Sequence, residues 1–390
     1  MDDNQHHQDG TKNVHAGTNH VGESVNTPIF LSSTYKLTEE RYAGWAAGAQ
    51  HTLLYSRLSS VNSDAVAQKI CAMEGGEDAE TFASGMAAIS STLMMLLSQG
   101  DHMVASADVY GGTYGLITAE LPRFGIETTM ADMTDPSSYE AAIQPNTKIL
   151  YIETITNPNL KVCDIPAMVE LGKRHNLIVI IDNTFASPWA CKPLSMGVDL
   201  VIHSTTKYLG GHSDLIGGAV VGSKELISKI FMGRVHFGGS PDPHNCYLLE
   251  RGMRTLHARM PLLTSNAATL AQRLDTHPKV VRVQHVSLPS HTEYEVAQRV
   301  VPKGCGMLGI VVAGGDEGAM DFMAKLKLFY EATSLGGVES LIEVPATSSH
   351  MAVPVDVRIA AGIEPGYVRI SVGIEDVEDL WNDLNQALSQ

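Results

Sequence analysis

The sequence contains few cysteines and no long apolar run, and each shortage excludes a class of protein. Its five cysteines are odd in number, widely spaced and without a C-x-x-C pair, which disfavours a disulfide framework and a cysteine zinc site. No uninterrupted apolar stretch reaches the roughly 18 residues that a membrane-spanning helix needs, and no apolar signal segment follows Met1. We therefore expect a soluble protein of the cytoplasm.

Basic residues are also scarce. Lys and Arg number 27 against 43 Asp and Glu, which gives a formal charge of -16 at pH 7. Such a surface repels phosphate backbones and anionic lipids, so we expect neither nucleic acid nor a membrane as a partner. The histidines lack the spacing of metal ligands, and no metal site is predicted. An anionic ligand would need a local basic pocket.

The remaining composition is globular, with 44% hydrophobic and 18% charged residues in a chain of 390, enough for two or three domains. From about residue 64, helical patterns alternate with short apolar runs, which is typical of β-α-β units around a largely parallel sheet. The predicted strands are His102–Ala105, Ile126–Met130, Ile149–Glu153, Ile178–Asp182, Leu200–His203 and Ala219–Val221. The predicted helices include Gly85–Leu97, Thr113–Leu121 and Asp164–His175.

Two further regions flank this α/β domain, which we place at residues 61–253. Gly, Ser, Thr and Asn recur throughout residues 1–60, which are predicted to form an arm. Residues 254–390 are predicted to form a smaller α+β domain. Its predicted elements are a long helix over Arg254–Arg273, strands at Gly309–Ala313 and Val368–Ser371, and a closing amphipathic helix from Asp376 to Leu388.

Lys207 is the residue that most strongly suggests chemistry. The apolar run Leu200–Ile202 leads into hydroxyl residues, this lysine and a glycine pair. That order places the lysine at the carboxyl end of a parallel strand, where open α/β sheets bind ligands. A partly buried lysine can lose its proton and attack a carbonyl carbon to form a Schiff base, and the hydroxyls of Ser204 and Thr206 can bind a phosphate. The alternative is a solvated loop lysine.

Two other segments fit the same kind of site. The apolar run Leu177–Ile181 delivers the carboxylate of Asp182 to a strand end, where burial requires a cation or several hydrogen-bond donors. A protonated ring nitrogen is such a cation, and capping of a nearby loop or helix is the alternative. The small residues Ala83–Gly85 precede a helical pattern, and the backbone N–H groups of such a turn bind anions. Together the three features predict a site for a ligand with a phosphate.

Seven short motifs follow one another in a specific order. They are Y-S-R, A-S-G-M, D-V-Y-G-G-T, Y-I-E-T-x-x-N-P, D-N-T, S-T-T-K-Y and S-L-G-G-x-E-S. This order resembles the Cys/Met-metabolism (transsulfuration) family of enzymes that depend on pyridoxal 5'-phosphate (PLP), and the similarity extends from Val14 to Asp376. It implies fold type I, the aspartate-aminotransferase-like α/β fold with a large, mainly parallel-sheet domain and a smaller C-terminal domain. It also implies a PLP-dependent lyase that acts on a carbon–sulfur or carbon–heteroatom bond.

The resemblance implies a role for each residue that matches a motif. Lys207 would hold PLP covalently and move protons together with Tyr110, which would also stack on the cofactor ring. Asp182 would pair with the ring nitrogen and strengthen the ring as an electron sink. The residues implied to bind the cofactor phosphate are Gly85, Met86, Ser204 and Thr206, joined by Tyr55 and Arg57 from a neighbouring subunit.

The resemblance also implies the substrate site and the assembly. Arg369 would grip the substrate carboxylate, aided by Ser334 and Asn157. Because Tyr55 and Arg57 would complete a neighbour's phosphate site, a monomer would lack part of its own. An obligate homodimer, paired into a tetramer, is therefore implied.

Four departures from the family pattern affect the choice of substrate. In relatives that handle cystathionine, an arginine commonly stands at the place of Gly115 and a glutamate at the place of Thr333, so recognition of a long, charged distal group is expected to be reduced. Methionine γ-lyases commonly carry cysteine where this chain has Gly112. The segment Leu58–Ser63 replaces a common G-N-P-T run. The chain therefore matches neither subgroup cleanly.

The first hypothesis is the α,γ-elimination of a γ-substituted L-amino acid related to methionine, homocysteine or cystathionine. Its products would be a 2-oxo acid, ammonia and the γ-leaving group. The alternative is γ-replacement on an activated homoserine, as in cystathionine γ-synthase or an O-acyl-homoserine sulfhydrylase, because the two reactions share their early steps. A remote alternative is a catalytically silent scaffold that binds PLP.

Overall fold

The large domain is built around a seven-stranded sheet. The computed structural model describes residues 7–348, 355–360 and 362–389. The strands of this sheet are β1 (Asp78–Phe82), β2 (His102–Ser106), β3 (Glu127–Ala131), β4 (Thr147–Glu153), β5 (Ile178–Asp182), β6 (Leu200–Ser204) and β7 (Gly218–Gly222). Their order across the sheet is β1-β7-β6-β5-β4-β2-β3, and β7 alone runs against the other six. The central strands are apolar and buried, as helices on both faces require.

Helices connect the strands of both domains. In chain order they are α1 (Asp9–His15), α2 (Glu39–Ala46), α3 (Val61–Glu74), α4 (Gly85–Leu96), α5 (Gly111–Gly115), α6 (Pro136–Ala142), α7 (Ile165–His175), α8 (Ser187–Ala190), α9 (Lys224–Phe237), α10 (Pro243–Arg254), α11 (Leu256–Asp275), α12 (Tyr294–Val300), α13 (Gly315–Ala324), α14 (Val355–Ala360) and α15 (Val377–Ser389). None of the described helices combines the length and apolar character needed to cross a bilayer.

Side-chain caps fix where several helices begin. Ser84 accepts a hydrogen bond from the Ala87 N–H, 3.0 Å away, so α4 begins at Gly85. Ser60 and Ser63 form a reciprocal capping box at the start of α3. These caps matter because α4 starts directly after β1, at the edge of the sheet where the parallel strands end.

The small domain carries a second, five-stranded sheet. Its strands are β8 (Val280–Gln284), β9 (Met307–Val312), β10 (Tyr330–Glu331), β11 (Leu341–Glu343) and β12 (Tyr367–Ser371). Their order is β10-β11-β12-β9-β8, and all neighbours are antiparallel except β10 and β11. Apolar residues of β9, β12, α11 and α15 form the core of this domain, including Leu270, Ile310, Ile370 and Leu384.

The fold predicted from the sequence is confirmed, and every predicted strand ends within two residues of its observed limits. Strand β1 was not predicted because its middle is polar: buried Glu80 pairs with buried Arg234 at 2.7 Å. The predicted helix Thr113–Leu121 is wrong as a regular helix, since α5 passes into a π-turn over Leu116–Glu120 and a 3-10 turn over Leu121–Phe124. The arm is less irregular than expected, since α1 and α2 lie within it. The domain limits stay predictions.

Candidate active site

A cavity of about 480 Å³ lies where β4, β5 and β6 end, and segments of the small domain close its other side. Ten of the predicted site residues line it: Gly85, Met86, Tyr110, Asn157, Asp182, Ser204, Thr206, Lys207, Ser334 and Arg369. The two residues assigned to a neighbouring subunit, Tyr55 and Arg57, are not part of this lining. Instead Arg57 donates to the Val235 carbonyl at 2.7 Å, and its guanidinium lies 5.6 Å from the centre of the Tyr55 ring.

Lys207 points its amine across the cavity towards the small domain. It lies in the turn after β6, and its Nζ donates to Ser334 Oγ at 2.7 Å. Burial lowers the pKa of Lys207 to about 8, the positive charge of Arg369 acts in the same direction, and Glu343 opposes them. About a tenth of the amine is then neutral at pH 7, which makes it a usable nucleophile and proton acceptor.

Asp182 ends β5 with its carboxylate in the cavity lining. Burial raises the pKa of this carboxyl group, while hydrogen bonds from Thr184, whose N–H lies 2.9 Å from Oδ1, oppose the shift. On the neighbouring strand β6, the imidazole of buried His203 lies 2.6 Å from a carboxylate oxygen of buried Glu74. The protonated pyridine nitrogen of a bound ligand would supply the positive charge that the buried Asp182 carboxylate needs.

The amino end of α4 and the end of β6 form an anion cradle. A Cβ atom built on Gly85 would lie 3.0 Å from Ser204 Cβ, so a side chain there would crowd the cradle. Thr206 Oγ1 accepts the Gly217 N–H at 3.0 Å, which orients this hydroxyl beside the cradle. The backbone N–H groups of the first turn of α4, with the positive end of the helix dipole, suit a phosphate.

Arg369 lies in the middle of β12 and is only 4% exposed. Its Nη1 donates to Asn157 Oδ1 at 2.8 Å, and its Nη2 donates to the Ser334 carbonyl at 2.8 Å and pairs with Glu343 Oε1 at 2.7 Å. No acceptor among the described residues reaches its Nε. Burial lowers the pKa of Arg369, and Glu343 opposes that shift. A buried, well-oriented guanidinium of this kind can bind a carboxylate.

Ser334 connects Lys207 to Arg369 by its hydroxyl and its carbonyl. It adopts a positive φ of 82°, a conformation that residues other than glycine rarely take. Such backbone strain tends to occur at functional sites because the surrounding contacts must hold it. Here those contacts are the two hydrogen bonds to the predicted catalytic and substrate-binding side chains.

Tyr110 lies on the loop between β2 and α5, beside the cavity. Its backbone N–H donates to Glu153 Oε1 at 2.7 Å, and its side chain is 44% exposed. The ring lies over Gly112 so closely that a Cβ atom built at residue 112 would be 2.6 Å from Tyr110 Cε1. A side chain at residue 112 would therefore displace the ring from this position.

These groups fit PLP. The cofactor has a phosphate, a pyridine nitrogen and an aldehyde, and the cavity offers an anion cradle at Gly85, a buried acid at Asp182 and a buried amine at Lys207. Burial shifts the pKa of the acid and the pKa of the amine towards their neutral forms, so a cationic ring nitrogen would suit the acid and an aldehyde would suit the amine.

The sequence interpretation missed two acids of the lining, Glu153 and Glu343. Glu153 lies inside the motif Y-I-E-T at a strand end, so its position was a usable signal. Glu343 gave no signal, because its importance comes from the antiparallel register that places it opposite Arg369.

Comparisons with known proteins identify the family of this chain. Residues 10–389 match the family described as Cys/Met metabolism PLP-dependent enzyme. The chain is 43% identical over 368 residues to a cystathionine gamma-lyase of Bacillus subtilis, with 94% of each chain covered. It is 40% identical over 384 residues to an L-methionine gamma-lyase of Porphyromonas gingivalis, covering 97% of this chain and 96% of that one.

A solved structure extends the likeness to three dimensions. It is a cystathionine gamma-lyase from Lactobacillus plantarum in complex with L-serine, with a TM-score of 0.92, 38% identity, and coverage of 98% of this chain and 99% of that one. The predicted cofactor, fold type and enzyme class are confirmed. The chain belongs to the Cys/Met metabolism family of PLP-dependent enzymes and is a lyase of that family.

Proposed function

We propose that this protein catalyses the α,γ-elimination of a γ-substituted L-amino acid of the methionine, homocysteine or cystathionine type. The reaction consumes water and yields a 2-oxo acid, ammonia and the γ-leaving group. The observation that carries the proposal is the arrangement of Lys207 and Arg369, whose side chains both contact Ser334 on one side of a cavity that has Asp182 in its lining.

The roles of the side chains follow from their positions. PLP, when bound, supplies the electron sink that stabilises negative charge at the substrate's Cα. Arg369 holds the substrate carboxylate, with Asn157 and the Ser334 carbonyl fixing the plane of its guanidinium. The neutral Lys207 amine would take the proton from Cα, release it to water, and then take a proton from Cβ, so that the γ-substituent can leave. Tyr110 donates a proton to the leaving group.

The lining favours a compact, apolar leaving group over a long, charged one. Thr333 lines the cavity, and its uncharged side chain offers no ionic partner to a charged distal group. Apolar side chains make up much of the remaining lining, including Ile155, Phe185 and Ile216. We therefore propose methionine-like and homocysteine-like substrates ahead of cystathionine.

A substrate screen with product identification tests the reaction. Methionine, homocysteine, cystathionine, cysteine, O-acetylhomoserine and O-succinylhomoserine are each supplied with and without sulfide or a thiol, and the 2-oxo acid, ammonia and thiol products are quantified. Elimination predicts ammonia and 2-oxo acid from methionine without added thiol. A new thioether or homocysteine from the homoserine esters, without ammonia from methionine, would instead establish γ-replacement. Lys207→Ala, with cofactor supplied, is the inactive control.

We also propose that a second copy of the chain completes the site. Tyr55 and Arg57 lie outside the cavity of their own chain, and the arm around them exposes large apolar side chains, with Val25 79% and Leu31 77% exposed. A dimer would cover this surface and bring both residues to the neighbour's phosphate cradle, and two dimers would form the tetramer. Mixing inactive Lys207→Ala with inactive Arg57→Ala after partial unfolding should restore activity if the site is shared. Separate sites predict no recovery.

We propose the cytoplasm as the location of the protein. In the described residues none of the five cysteines forms a disulfide, and four of them are buried. This is the usual state of cysteines in a reducing compartment. Fractionation of cells with an antibody against the protein tests this location.

A further inference from the structure

Glu153 is a buried acid in the cavity lining that none of the roles above uses. It ends β4, and in the register of the parallel strands it lies opposite Asp182, which ends β5. Only 4% of the residue is exposed. Burying an acid beside another acid costs free energy. An acid at this position therefore indicates a role that an apolar residue could not fill.

The hydrogen bonds that Glu153 accepts come from the backbone. The N–H of Tyr110 lies 2.7 Å from Glu153 Oε1. The side chain also accepts the N–H of Asn157. Tyr110 is the residue before α5, where a backbone N–H has no partner within the helix, so an outside acceptor is needed.

The two backbone positions carry side chains on different parts of the site. Tyr110 belongs to the loop after β2, and its side chain lines the cavity, where the family resemblance implies that its ring stacks on the cofactor. Asn157 belongs to the loop after β4, and its amide oxygen accepts from Arg369 Nη1 at 2.8 Å. Glu153 is therefore bonded on one side to the loop of the ring tyrosine and on the other to the loop that orients the guanidinium.

We propose that Glu153 is a positioning residue that fixes the Tyr110 loop and the Asn157 loop relative to each other, and so sets the distance between the cofactor ring and the substrate carboxylate. The proposal rests on the functions proposed above for Tyr110 and Arg369. A fixed distance between these two ends matters because a misplacement of about 1 Å costs about 10²-fold in rate.

The protonation of Glu153 suits this role. Burial, and then the neighbouring Asp182 carboxylate, raise the pKa of Glu153 well above its ordinary value. A neutral acid at Glu153 leaves the negative charge on Asp182, where the ring nitrogen would meet it. Glutamine has the same size and a carbonyl oxygen that can accept both N–H groups, so it reproduces the neutral acid. Alanine removes the acceptor altogether.

Three variants test the proposal in the full-length protein loaded with PLP. Glu153→Ala removes both hydrogen bonds, and Glu153→Gln keeps the acceptor oxygen. The matched control is Asp199→Asn, because Asp199 Oδ2 accepts the Val179 N–H at 2.8 Å near the opposite end of the same sheet. For each protein we measure kcat and KM, the bound PLP per chain, the unfolding midpoint, and the visible circular dichroism of the bound cofactor.

The expected result is a graded one. Glu153→Ala lowers kcat about 100-fold, by the cost of misplacement, and raises KM. It also changes the visible circular dichroism per bound PLP, because the cofactor ring no longer lies in a fixed position against Tyr110. Glu153→Gln recovers most of the kcat, the KM and the dichroism. Asp199→Asn behaves as the unsubstituted protein.

Three results would overturn the proposal. The first is unchanged kinetics and dichroism in Glu153→Ala. The second is an equal loss in Glu153→Ala and Glu153→Gln, which would make the carboxyl proton itself necessary. The third is a loss explained wholly by unfolding or missing cofactor, with unchanged dichroism per bound PLP. The dichroism is independent of turnover, so it still tests Glu153 if the unsubstituted protein turns over none of the amino acids and the proposed function fails.

Discussion

The two domains contribute to the cavity in different ways. The large domain supplies Asp182, Ser204 and Lys207 at or directly after the ends of adjacent parallel strands, so the sheet itself brings them together. The small domain supplies Arg369 from the middle of an antiparallel strand and Ser334 from a strained turn. The first group surrounds the place that fits the cofactor, and the second surrounds the place that fits a substrate carboxylate. Variants of the first group should therefore change kcat and the cofactor spectrum, and variants of the second should change KM.

Asp182→Asn is the strongest test of the large-domain side. The substitution keeps the size of the side chain but removes the charge that would hold a proton on the ring nitrogen. We expect kcat to fall by about 10²- to 10³-fold, the usual loss when one preorganised electrostatic group is removed, together with a shifted cofactor absorption band. KM should change little. A variant with normal kcat and a normal spectrum would refute the assignment of Asp182 to the ring nitrogen.

Arg369→Leu tests the small-domain side. Loss of the guanidinium removes the charge-assisted hydrogen bonds to the carboxylate, which are worth about 3 kcal/mol, so KM should rise about 100-fold while the cofactor spectrum stays the same. Steady-state kinetics and absorption spectra check both points. A 100-fold loss in kcat with an unchanged KM would contradict the assignment of the cofactor to the large domain and of the substrate carboxylate to the small domain.

Glu343→Gln is the variant matched to Arg369→Leu. The substitution keeps a hydrogen-bonding group opposite Arg369 but removes the negative charge of Glu343. A substrate carboxylate would then no longer compete with Glu343 for Arg369 Nη2, so KM should fall or stay the same. Unfolding midpoints of both variants separate the effects on binding from the cost of breaking a buried ion pair. A large rise in KM for Glu343→Gln would mean that Glu343 is needed to hold Arg369 in place.

The same division explains how much the sequence could predict. In the large domain, an apolar run that ends in a polar residue gives both the strand and the place of the side chain, so local patterns alone assign Asp182 and Lys207 to one sheet edge. Strand β1 escaped prediction because Glu80 is buried only with the help of Arg234, which lies far away in the sequence. Local patterns cannot show such a partner.

In the small domain, the fold could be predicted better than the site. The strand that contains Arg369 was recognised by its apolar neighbours, and its role came from the family resemblance. Its partner Glu343 depends on the register between β11 and β12, which no local pattern specifies. The positive φ of Ser334 is likewise set by contacts with both domains. The sequence therefore predicts which residues reach the cavity more readily than how they contact one another across it.

Gly112→Ala tests the position of the Tyr110 ring from the large-domain side. The new Cβ atom would lie 2.6 Å from Tyr110 Cε1, and the ring must move. We expect kcat to fall about tenfold, which is part of the loss that a full 1 Å misplacement causes, with a smaller change in KM. Gly115→Ala is the matched control, because a Cβ atom there meets nothing within 4 Å. Equal effects of the two substitutions would show that ring position is not the cause.

The pH dependence of cofactor uptake tests how the domains act on each other. Only the neutral Lys207 amine attacks the cofactor aldehyde, and its pKa is lowered to about 8. The protonated amine dominates below that pH and the neutral amine above it. The rate of covalent PLP uptake by the cofactor-free protein should therefore rise about fivefold between pH 7 and pH 8 and level off at higher pH. Stopped-flow absorbance, with borohydride trapping to confirm attachment at Lys207, measures this rate.

The variants Arg369→Leu and Glu343→Gln should shift the curve of PLP uptake rate against pH in opposite directions if the charges of Arg369 and Glu343 act on Lys207. Burial is the largest cause of the lowered pKa of Lys207 and stays in place, whereas Arg369 lowers it further and Glu343 raises it. Arg369→Leu should therefore shift the midpoint of the uptake curve to higher pH, and Glu343→Gln should shift it to lower pH. Both shifts are smaller than the effect of burial. Identical curves for the two variants would show that the small domain binds the substrate without tuning the amine of the large domain.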